Sequence, residues 1–367
     1  MIASLISWFN SEYLVNEDIT NGYERNRIPA VSYRRSDRAP DDFNYVPCDV
    51  ELEPLAVDRS LASLKMCECQ DNCSADCKCT EPHQSKAYYS KGRLAPTYNL
   101  EAPEVIYECN VACKCSAKCE NRVIQRGSNL KLVLFRTRSR GWGIRTRKTI
   151  KKGTFIGVYS GELITTEESY KRKDDTYLFN LTFNTSSNNS NEQQYVNDAR
   201  YFGNFTRFIN HSCAPNVIGI RSFTTHQDVR FPHIAFFALE KIEAQSELTL
   251  NYGDNYWLVK CKRDRAYCLC KQDKCRFTKK TFPITLKEAL ERRKAEARAK
   301  RDAQKKANET PINEGEQKQL SGFCENSYAH GECELQEGED ENVSAASKDE
   351  LIETSEAESQ ELKVEII

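Results

Sequence analysis

Cysteines restrict this sequence more than any other residue type. Of 17 cysteines in 367 residues, nine fall in two short runs, CECQDNCSADCKC (residues 67–79) and CNVACKCSAKC (residues 109–119), joined by 29 residues. A third run, CLCKQDKC, occupies residues 268–275. The opening MIASLISWF is short, and no apolar run reaches the roughly 20 residues of a membrane span. We therefore expect no membrane association and a reducing compartment, where metal ligation is favoured over disulfide pairing.

The nine cysteines of the first two runs match the ligand count of a three-zinc cluster. Structural zinc takes four tetrahedral ligands, so two separate sites would use eight thiolates and leave one over. Three zincs need twelve ligand positions, which nine cysteines supply if six bind one ion and three bridge two. A disulfide framework is the alternative. His83 lies outside both runs and is interpreted as a loop histidine. The predicted ligands are Cys67, Cys69, Cys73, Cys77, Cys79, Cys109, Cys113, Cys115 and Cys119.

The third run supplies three thiolates, those of Cys268, Cys270 and Cys275. A fourth structural zinc therefore needs one more ligand from elsewhere in the chain. Cys213, in NHSCAPN, is the leading candidate, and Cys261 is the alternative. If Cys213 serves, the C-terminal segment is attached beside Asn210 and His211.

The segment between the cysteine runs has the character of a β-rich domain. LKLVLFRT, GTFIGVYSGELI, TYLFNLTF, HIAFFAL and ELTLNYG are short runs with β-branched and aromatic residues, separated by polar turns. Only residues 165–173 and 199–208 look helical, so residues 120–260 are predicted to contain few helices. NTSSNNSNEQQ (184–194) is interpreted as a surface loop between two strands.

The charge is distributed asymmetrically along the chain. Residues 309–367 carry 17 acidic residues and three lysines, a net charge of −14, while the remainder carries 50 basic and 37 acidic residues, a net charge of +13. KEALERRKAEARAKRDAQKKAN (287–308) predicts an exposed basic helix. This helix is expected to contact DNA or act as a nuclear localisation signal, the alternative being a solvated helix. We expect the acidic tail to be disordered.

Three stretches carry a resemblance to a known family: RGWGIR (140–145), NDARYFGNFTRFINHSCAPN (197–216) and ELTLNYGDNYW (247–257). With nine cysteines before them and CxCxxxxC after them, they resemble the pre-SET, SET and post-SET segments of histone-lysine methyltransferases. DITNGYERNRIPAV, HQDVRFPHIAFFALEKI and NYGDNYW are most similar to the euchromatic histone methyltransferase (EHMT) branch. The resemblance implies a mainly β SET-domain fold of short sheets with few helices, flanked by cysteine-rich zinc-binding segments.

The resemblance also implies a function and a division of the chain. The expected activity is S-adenosylmethionine-dependent methylation of the histone H3 tail, with lysine 9 as the target, on nucleosomes in the nucleus, contributing to repressive chromatin. A weakly active chromatin-binding module and a methyltransferase for non-histone lysines are the alternatives. The expected parts are an N-terminal extension (1–16), a pre-SET zinc-cluster region (17–127), a SET catalytic domain (128–254), a post-SET zinc segment (255–280), a basic helix (281–308) and an acidic tail (309–367).

The same resemblance implies roles for individual residues. Tyr252 and Tyr177 are the expected catalytic tyrosines, and the four zinc ions are expected to be structural. The residues expected to bind the cofactor are Arg140, Gly141, Trp142, Tyr177, Arg207, Asn210 and His211. Those expected to bind the substrate are Asp198, Leu250, Tyr256 and Trp257.

Three positions depart from the family pattern. Asn180 and Asn251 stand where aspartates are usual, in FNL and NYG. The first change weakens the acidic surface expected to receive an arginine beside the target lysine, and Asp198 remains as a candidate for that contact. Leu250 occupies a position that is generally Phe or Tyr. Because leucine is smaller, we expect dimethylation as the main product with detectable trimethylation.

Overall fold

The computed structural model describes residues 12–70, 73, 77–182 and 193–309. They divide into two compact units, one ending at Lys279 and the other beginning at Lys280. No helix in this part of the chain is both long enough and apolar enough to span a bilayer. Most of the predicted surface loop at 184–194 and the acidic tail after residue 309 lie outside the described residues.

The first unit is built mainly from short strands, which confirms the predicted mainly β fold with few helices. The strands are β1 (Tyr13–Asn16), β2 (Ala30–Ser32), β3 (Asn44–Tyr45), β4 (Tyr89–Ser90), β5 (Arg93–Leu94), β6 (Ile106–Tyr107), β7 (Leu132–Arg136), β8 (Trp142–Thr146), β9 (Phe155–Tyr159), β10 (Glu162–Thr165), β11 (Leu178–Asn180), β12 (Tyr195–Asp198), β13 (Phe202–Gly203), β14 (Asn210–His211), β15 (Val217–Phe223), β16 (His233–Ala238) and β17 (Thr249–Leu250). The α-helices of this unit are α1 (Thr166–Lys171) and α2 (Asp254–Arg263). Short 3₁₀ helices cover Leu61–Ser63, Lys78–His83 and Phe205–Phe208.

The strands pair into small sheets that join distant parts of the chain. One sheet has the order β1-β2-β7-β8, a second β10-β12-β11, and a third β14-β17-β15-β16-β9 with β6 also on β15. In the third sheet β16 runs antiparallel to β15 and β9, whereas β17 runs parallel to β14 and β15. The parallel pairing places Asn210 opposite Thr249 and His211 opposite Leu250.

The main hydrophobic core joins side chains from the first and third sheets. Leu134 of β7, Ile144 of β8, Ile156 of β9 and Phe236 of β16 are each at most 1% exposed. Burying a side chain of this size contributes roughly 1.5–3 kcal/mol to folding. These contacts hold the ends of β8, β14 and β17 in fixed positions relative to one another.

Close approach between segments depends on two glycines of β9 and the turn after it. A Cβ at Gly157 would lie 2.6 Å from the Phe205 ring, and one at Gly161 would lie 2.3 Å from the Asn197 side-chain oxygen. Any larger residue would push these segments apart. Gly157 therefore allows the 3₁₀ helix at Phe205–Phe208 to pack directly against β9, and Gly161 allows the turn after β9 to approach β12.

The short helices agree with the sequence in one place and differ from it in two. In α1 the Thr165 hydroxyl accepts a hydrogen bond from the Glu168 N–H at 3.1 Å, as a capping threonine does. Residues 199–208 contain strand β13 and the short 3₁₀ helix that ends at Phe208, and no α-helix. Helix α2 was not predicted, because ELTLNYG was interpreted as a strand and the residues after it were not predicted to be helical. Gly253, at φ +94°, ends the extended segment and precedes α2.

The second unit contains α3 (Phe282–Glu309), a helix of 28 residues. At 1.5 Å per residue this helix is about 42 Å long. It confirms the predicted basic helix and begins five residues before residue 287, with Pro283 in its first turn, where a proline costs no hydrogen bond.

Candidate active site and cysteine clusters

A cleft of about 800 Å³ lies in the first unit. This volume falls within the range typical of small-molecule sites, about 300–1,000 Å³. Five parts of the chain contribute most of its walls: 38–42, 140–142, 176–180, 206–211 and 250–257. With the exception of Asp198, every residue predicted to bind a cofactor or a substrate lines this cleft.

The turn between β7 and β8 is held against β14 by a carboxylate that the sequence analysis missed. Glu247 accepts hydrogen bonds from Arg140 Nη2 at 2.6 Å and from Asn210 Nδ2 at 2.9 Å. Asn210 Nδ2 also donates to the Trp142 carbonyl at 3.1 Å. A Cβ at Gly143 would lie 2.8 Å from the Glu247 carboxylate, so glycine is needed for this approach. In the sequence, Glu247 is marked only by its place as the acidic residue that begins the strand-like run ELTLNYG.

Gly141 and Trp142 give this turn its shape. Gly141 has a φ of +69°, a conformation that L residues rarely adopt, and its carbonyl accepts from the Thr137 N–H at 2.9 Å. The Arg136 guanidinium lies 5.5 Å from the Trp142 ring centre. The turn therefore places the Trp142 ring and a glycine without a side chain at the cleft.

His211 occupies a buried position where it connects two parts of the site. Its Nδ1 accepts a hydrogen bond from the Tyr252 N–H at 3.1 Å, and its Nε2 lies 3.3 Å from Cys213 Sγ. Burial, and then the positive charge of Arg140, lower the pKa of His211 to about 4. The ring is therefore neutral at neutral pH and cannot act there as a cationic acid.

Tyr252 points into the site with its hydroxyl already engaged. The hydroxyl donates to the Ile209 carbonyl at 2.8 Å, and the ring lies 5.3 Å from His211 and 5.1 Å from Tyr256, centre to centre. Burial raises the pKa of Tyr252 and that of Tyr256. Both side chains remain phenols at neutral pH, so Tyr252 can orient a polar group but is a poor base.

Arg207 is buried between two aromatic rings. Its guanidinium lies 4.0 Å from the Tyr177 ring centre and 4.4 Å from that of Phe43, and its Nε donates to the Ala199 carbonyl at 2.8 Å. Phe43 comes from the N-terminal segment and was not predicted from the sequence. This stack fixes Tyr177 at the wall of the cleft.

Helix α2 places Tyr256 and Trp257 on the remaining wall. Trp257 lies 4.9 Å from His211 and stacks on Phe277 at 6.1 Å, centre to centre. Its Nε1 is buried without a hydrogen-bond partner among the described residues. A buried donor of this kind costs free energy unless a ligand or water accepts from it.

Leu250 and Asp198 differ in how well they meet their predicted role. Leu250 lines the cleft and is 8% exposed. Asp198, by contrast, is 2% exposed, lies 3.4 Å from Arg172 Nη1 and accepts from the Arg200 N–H at 2.9 Å. Because this carboxylate is enclosed by the protein's own groups, the prediction that it receives a substrate arginine is wrong. Asp41 and Asp42 are the carboxylates that line the cleft.

The nine cysteines of the first two runs converge on one cluster. Their sulfurs approach closely, for example Cys67–Cys73 at 3.6 Å, Cys79–Cys113 at 3.6 Å and Cys73–Cys109 at 3.7 Å. The fifteen described cysteines are all free, so the disulfide alternative is wrong. Three overlapping groups of four have their sulfurs within 4.8 Å of one another: Cys67, Cys69, Cys73 and Cys77; Cys67, Cys73, Cys109 and Cys115; and Cys67, Cys77, Cys79 and Cys109.

The surroundings of this cluster suit thiolates. Backbone N–H groups point at sulfur, from Asn110 to Cys113 at 3.3 Å and from Asn121 to Cys119 at 3.3 Å. The guanidinium of Arg122 lies 3.6 Å from a further sulfur, that of Cys115. Donors around the sulfurs stabilise metal-bound thiolates. His83 is not among these groups, and its Nδ1 is hydrogen-bonded to the Glu104 carboxylate.

The third run forms a separate group with Cys213. The sulfurs of this residue, Cys268, Cys270 and Cys275 lie within 4.8 Å of one another. Cys261 is not in the group, and its sulfur lies 3.9 Å from the Phe277 carbonyl. The structure thus brings together the leading predicted ligand set and leaves the alternative outside it.

The sequence of this chain matches family models and known proteins. The Pre-SET motif matches residues 20–122 and the SET domain matches residues 141–253. The human histone-lysine N-methyltransferase EHMT1 is 42% identical over 266 residues, which are 72% of this chain and 20% of that protein. The chain thus spans about a fifth of this relative.

Two solved structures are also similar. The Neurospora SET domain protein DIM-5, a histone lysine methyltransferase, has a TM-score of 0.56 and 31% identity, covering 61% of this chain and 94% of DIM-5. KRYPTONITE, solved with mCHH DNA, an H3(1–15) peptide and SAH (S-adenosylhomocysteine), has a TM-score of 0.61 and 29% identity, covering 72% of this chain and 53% of that chain.

Proposed function

Because the chain belongs to the SET-domain histone-lysine methyltransferases with a Pre-SET motif, we propose that it methylates lysine 9 of the histone H3 tail. The observation that carries this proposal is the position of Tyr252. Its hydroxyl is held by the Ile209 carbonyl in a cleft that is also lined by Tyr177 and the turn at 140–142. We expect the protein to act on nucleosomes in the nucleus and to contribute to repressive chromatin.

The cofactor of this reaction is S-adenosylmethionine, which when bound supplies a methyl group on a sulfonium sulfur. The neutral ring of His211 lines the cleft and suits a polar ligand there. The turn adds a backbone that can approach it closely, because Gly141 carries no side chain. We assign cofactor binding to Arg140, Gly141, Trp142, Tyr177, Arg207, Asn210 and His211.

The protein's contribution to the chemistry is to favour the uncharged amine of the lysine, whose proton is released to water, and to align it. A free lysine has a pKa of about 10.4, and a channel walled by Tyr177, Tyr252 and Tyr256 disfavours the charged ammonium by desolvation. The same walls hold the amine in line with the methyl group, and such alignment supplies a large part of the rate. Tyr252 orients the amine through its hydroxyl, since its raised pKa makes it a poor base.

The zinc ions of this protein are structural. We propose three in the nine-cysteine cluster and one at Cys213, Cys268, Cys270 and Cys275, where the four sulfurs supply a complete tetrahedral set. A site with four protein ligands has no open position for substrate. The second site fixes the segment around Cys268 that lines the cleft.

A carboxylate of the cleft is exposed to a basic histone tail. Asp41 lines the cleft and is exposed, whereas Asp42 also lines it but is paired with Arg200. For the second unit, we propose that helix α3 contacts nucleosomal DNA through its cations. These include Arg292, Arg293 and Lys294, on a helix with few apolar residues.

The experiment that tests this function uses labelled S-adenosylmethionine and the full chain. We expect label on histone octamers and on an H3 tail peptide, and none on a peptide in which arginine replaces lysine 9. Equal labelling of the two peptides would exclude lysine 9 as the target. Absence of label on histones, with label on other proteins, would favour a non-histone methyltransferase. Peptide binding without any label would favour a chromatin-binding module.

A further inference from the structure

A long stretch of the first unit has basic residues and no acidic ones. Residues 121–161 contain 11 lysines and arginines and no aspartate or glutamate. Some of these cations have partners elsewhere: Arg140 pairs with Glu247, Arg145 with Glu12, and Arg136 with Asp37 at 3.8 Å. Arg122 and Arg126 donate to the carbonyls of Asn110 and Cys119. Arg138 lies in the turn between β7 and β8, at the other end of the hairpin from Lys131 and Arg147. The cations at 131, 147, 148, 151 and 152 remain, and all five are exposed.

The fold gathers these remaining cations on one face. The Arg147 N–H donates to the Lys131 carbonyl at 2.7 Å, which joins the two ends of the β7–β8 hairpin. The Leu94 N–H donates to the Gly153 carbonyl at 2.9 Å, which joins β5 to the residue after Lys151 and Lys152. Exposed Lys91 lies in the turn that leads into β5. We call this surface the basic face, and it consists of Lys91, Lys131, Arg147, Lys148, Lys151 and Lys152.

The basic face has little negative charge near it. Within the described part of the chain, none of its six residues has a carboxylate oxygen within 4.0 Å. The nearby loop at 239–246 contains exposed Glu240 and Glu243, and Glu243 is already contacted by Lys241 at 2.5 Å and by Thr149 at 3.4 Å. Like charges concentrated without counter-charges attract a polyanion from solution.

We infer that the basic face binds the phosphate backbone of duplex DNA. This inference rests on the proposed function, because a nucleosome presents DNA next to its histone tails. The exposed amines and guanidinium are suited to neutralise successive phosphates, which is the main source of sequence-independent affinity for DNA.

The position of the basic face allows DNA and a tail to bind at once. β7 begins next to Lys131 and ends at Arg136, which lines the cleft. Five residues of strand span about 17 Å. An extended histone tail covers that distance with about five residues. A tail could therefore reach the cleft while the basic face holds the DNA from which it emerges.

The test compares two triple variants of the full chain. The face variant is Lys148→Gln, Lys151→Gln and Lys152→Gln, and the matched control, with the same loss of charge at exposed positions elsewhere, is Lys65→Gln, Lys118→Gln and Lys262→Gln. Fluorescence anisotropy with a labelled 30-base-pair duplex, between 50 and 200 mM salt, gives the affinity and its salt dependence. Thermal melting by circular dichroism checks that both variants are folded.

We expect the face variant to bind the duplex at least about tenfold more weakly at 50 mM salt. The slope of the logarithm of its binding constant against the logarithm of the salt concentration should be shallower by about 2.7, because three phosphate contacts of about 0.9 each are lost. The control should bind close to wild type. Duplex affinity equal to wild type in the folded face variant, or an equal loss in the control, would overturn the inference. A face variant that keeps its affinity for the duplex and loses affinity only for single-stranded RNA would also overturn it.

Methylation assays separate this inference from the proposed function. The face variant should keep the wild-type kcat/KM on an H3 tail peptide and show a raised KM on nucleosomes. If wild type methylates no histone peptide, the proposed function fails, and the anisotropy comparison still decides whether the basic face binds DNA. An unchanged nucleosome KM, with peptide activity intact, would count against a role for the basic face on its substrate.

Discussion

The backbone N–H of Tyr252 donates a hydrogen bond to Nδ1 of His211 over 3.1 Å. Because Nδ1 is the acceptor in a neutral ring, the proton of the imidazole lies on Nε2, which faces Cys213 Sγ at 3.3 Å. The proposed catalytic tyrosine is thereby connected through one histidine to the second cysteine group. Loss of metal from that group should disturb the cleft directly.

Replacing Cys213 tests this connection. We predict that Cys213→Ser loses one of four zincs and most of the methyltransferase activity, while the other three zincs stay bound. Elemental analysis of the purified protein together with the peptide assay measures both. Cys261→Ser is the matched control and should keep four zincs, since its sulfur is outside the group. Loss of all metal from Cys213→Ser, or of one zinc from Cys261→Ser, would contradict the assignment.

Glu247 should be needed for cofactor binding. Its carboxylate accepts from Arg140 and Asn210, and a partly buried hydrogen bond to a charged group contributes about 1.5–3 kcal/mol. We predict that Glu247→Gln weakens binding of S-adenosylhomocysteine by roughly tenfold or more, as measured by calorimetry. The control, Glu243→Gln, alters an exposed carboxylate outside the cleft and should bind like wild type. Wild-type affinity in Glu247→Gln would show that the turn is held by other contacts.

Arg200 should position Tyr177 for the reaction. It lies 2.6 Å from Asp42 and 3.0 Å from Asp174 and is 6.0 Å from the Tyr177 ring centre, so it ties the N-terminal segment to the loop before β11. We predict that Arg200→Ala raises the KM for peptide or cofactor by about three- to tenfold, with a smaller effect on kcat. Arg230→Ala, which removes the ion pair of Arg230 with Asp228 away from the cleft lining, should leave both constants unchanged. If Arg200→Ala left both constants unchanged and Arg230→Ala raised KM, Arg200 would have no role in the cleft.

Leu250 should determine how many methyl groups are added. It lines the cleft two residues before Tyr252, and a leucine leaves more room than an aromatic ring. We predict that wild type forms mainly dimethyl-lysine with detectable trimethyl-lysine, and that Leu250→Phe and Leu250→Tyr shift the product towards lower states. Mass spectrometry of an H3 peptide at exhaustive turnover measures this. A wild type that stops at monomethyl-lysine, or a Leu250→Tyr variant with an unchanged product distribution, would refute the volume argument.

The features that could be predicted are those that depend on residues close together in the sequence. The cysteine runs gave the ligand sets because spacing and count limit how thiolates can share metal ions. RGWGIR and RFINHSC identified the residues that line the cleft, and these occur in short continuous segments. The strands followed from runs of apolar and β-branched residues.

The sequence could not show contacts between distant segments. Phe43 reaches Arg207 from the N-terminal segment, and Glu247 reaches Arg140 across 107 positions. Asp198 was expected to face a substrate, but pairing of β10 with β12 encloses it beside Glu162 and Arg172. Each of these contacts depends on which strands are neighbours in the sheets, and local composition does not determine the order of the strands.

The hydroxyl of Tyr252 offers the most direct test of the proposed function. The measurement is methyl transfer to an H3 tail peptide by Tyr252→Phe, with S-adenosylhomocysteine binding measured by calorimetry on the same preparation. We predict that turnover falls by at least about a hundredfold while cofactor affinity and thermal stability stay near wild type, because only the orienting group is removed. A Tyr252→Phe variant that methylates lysine 9 at close to the wild-type rate would contradict the account.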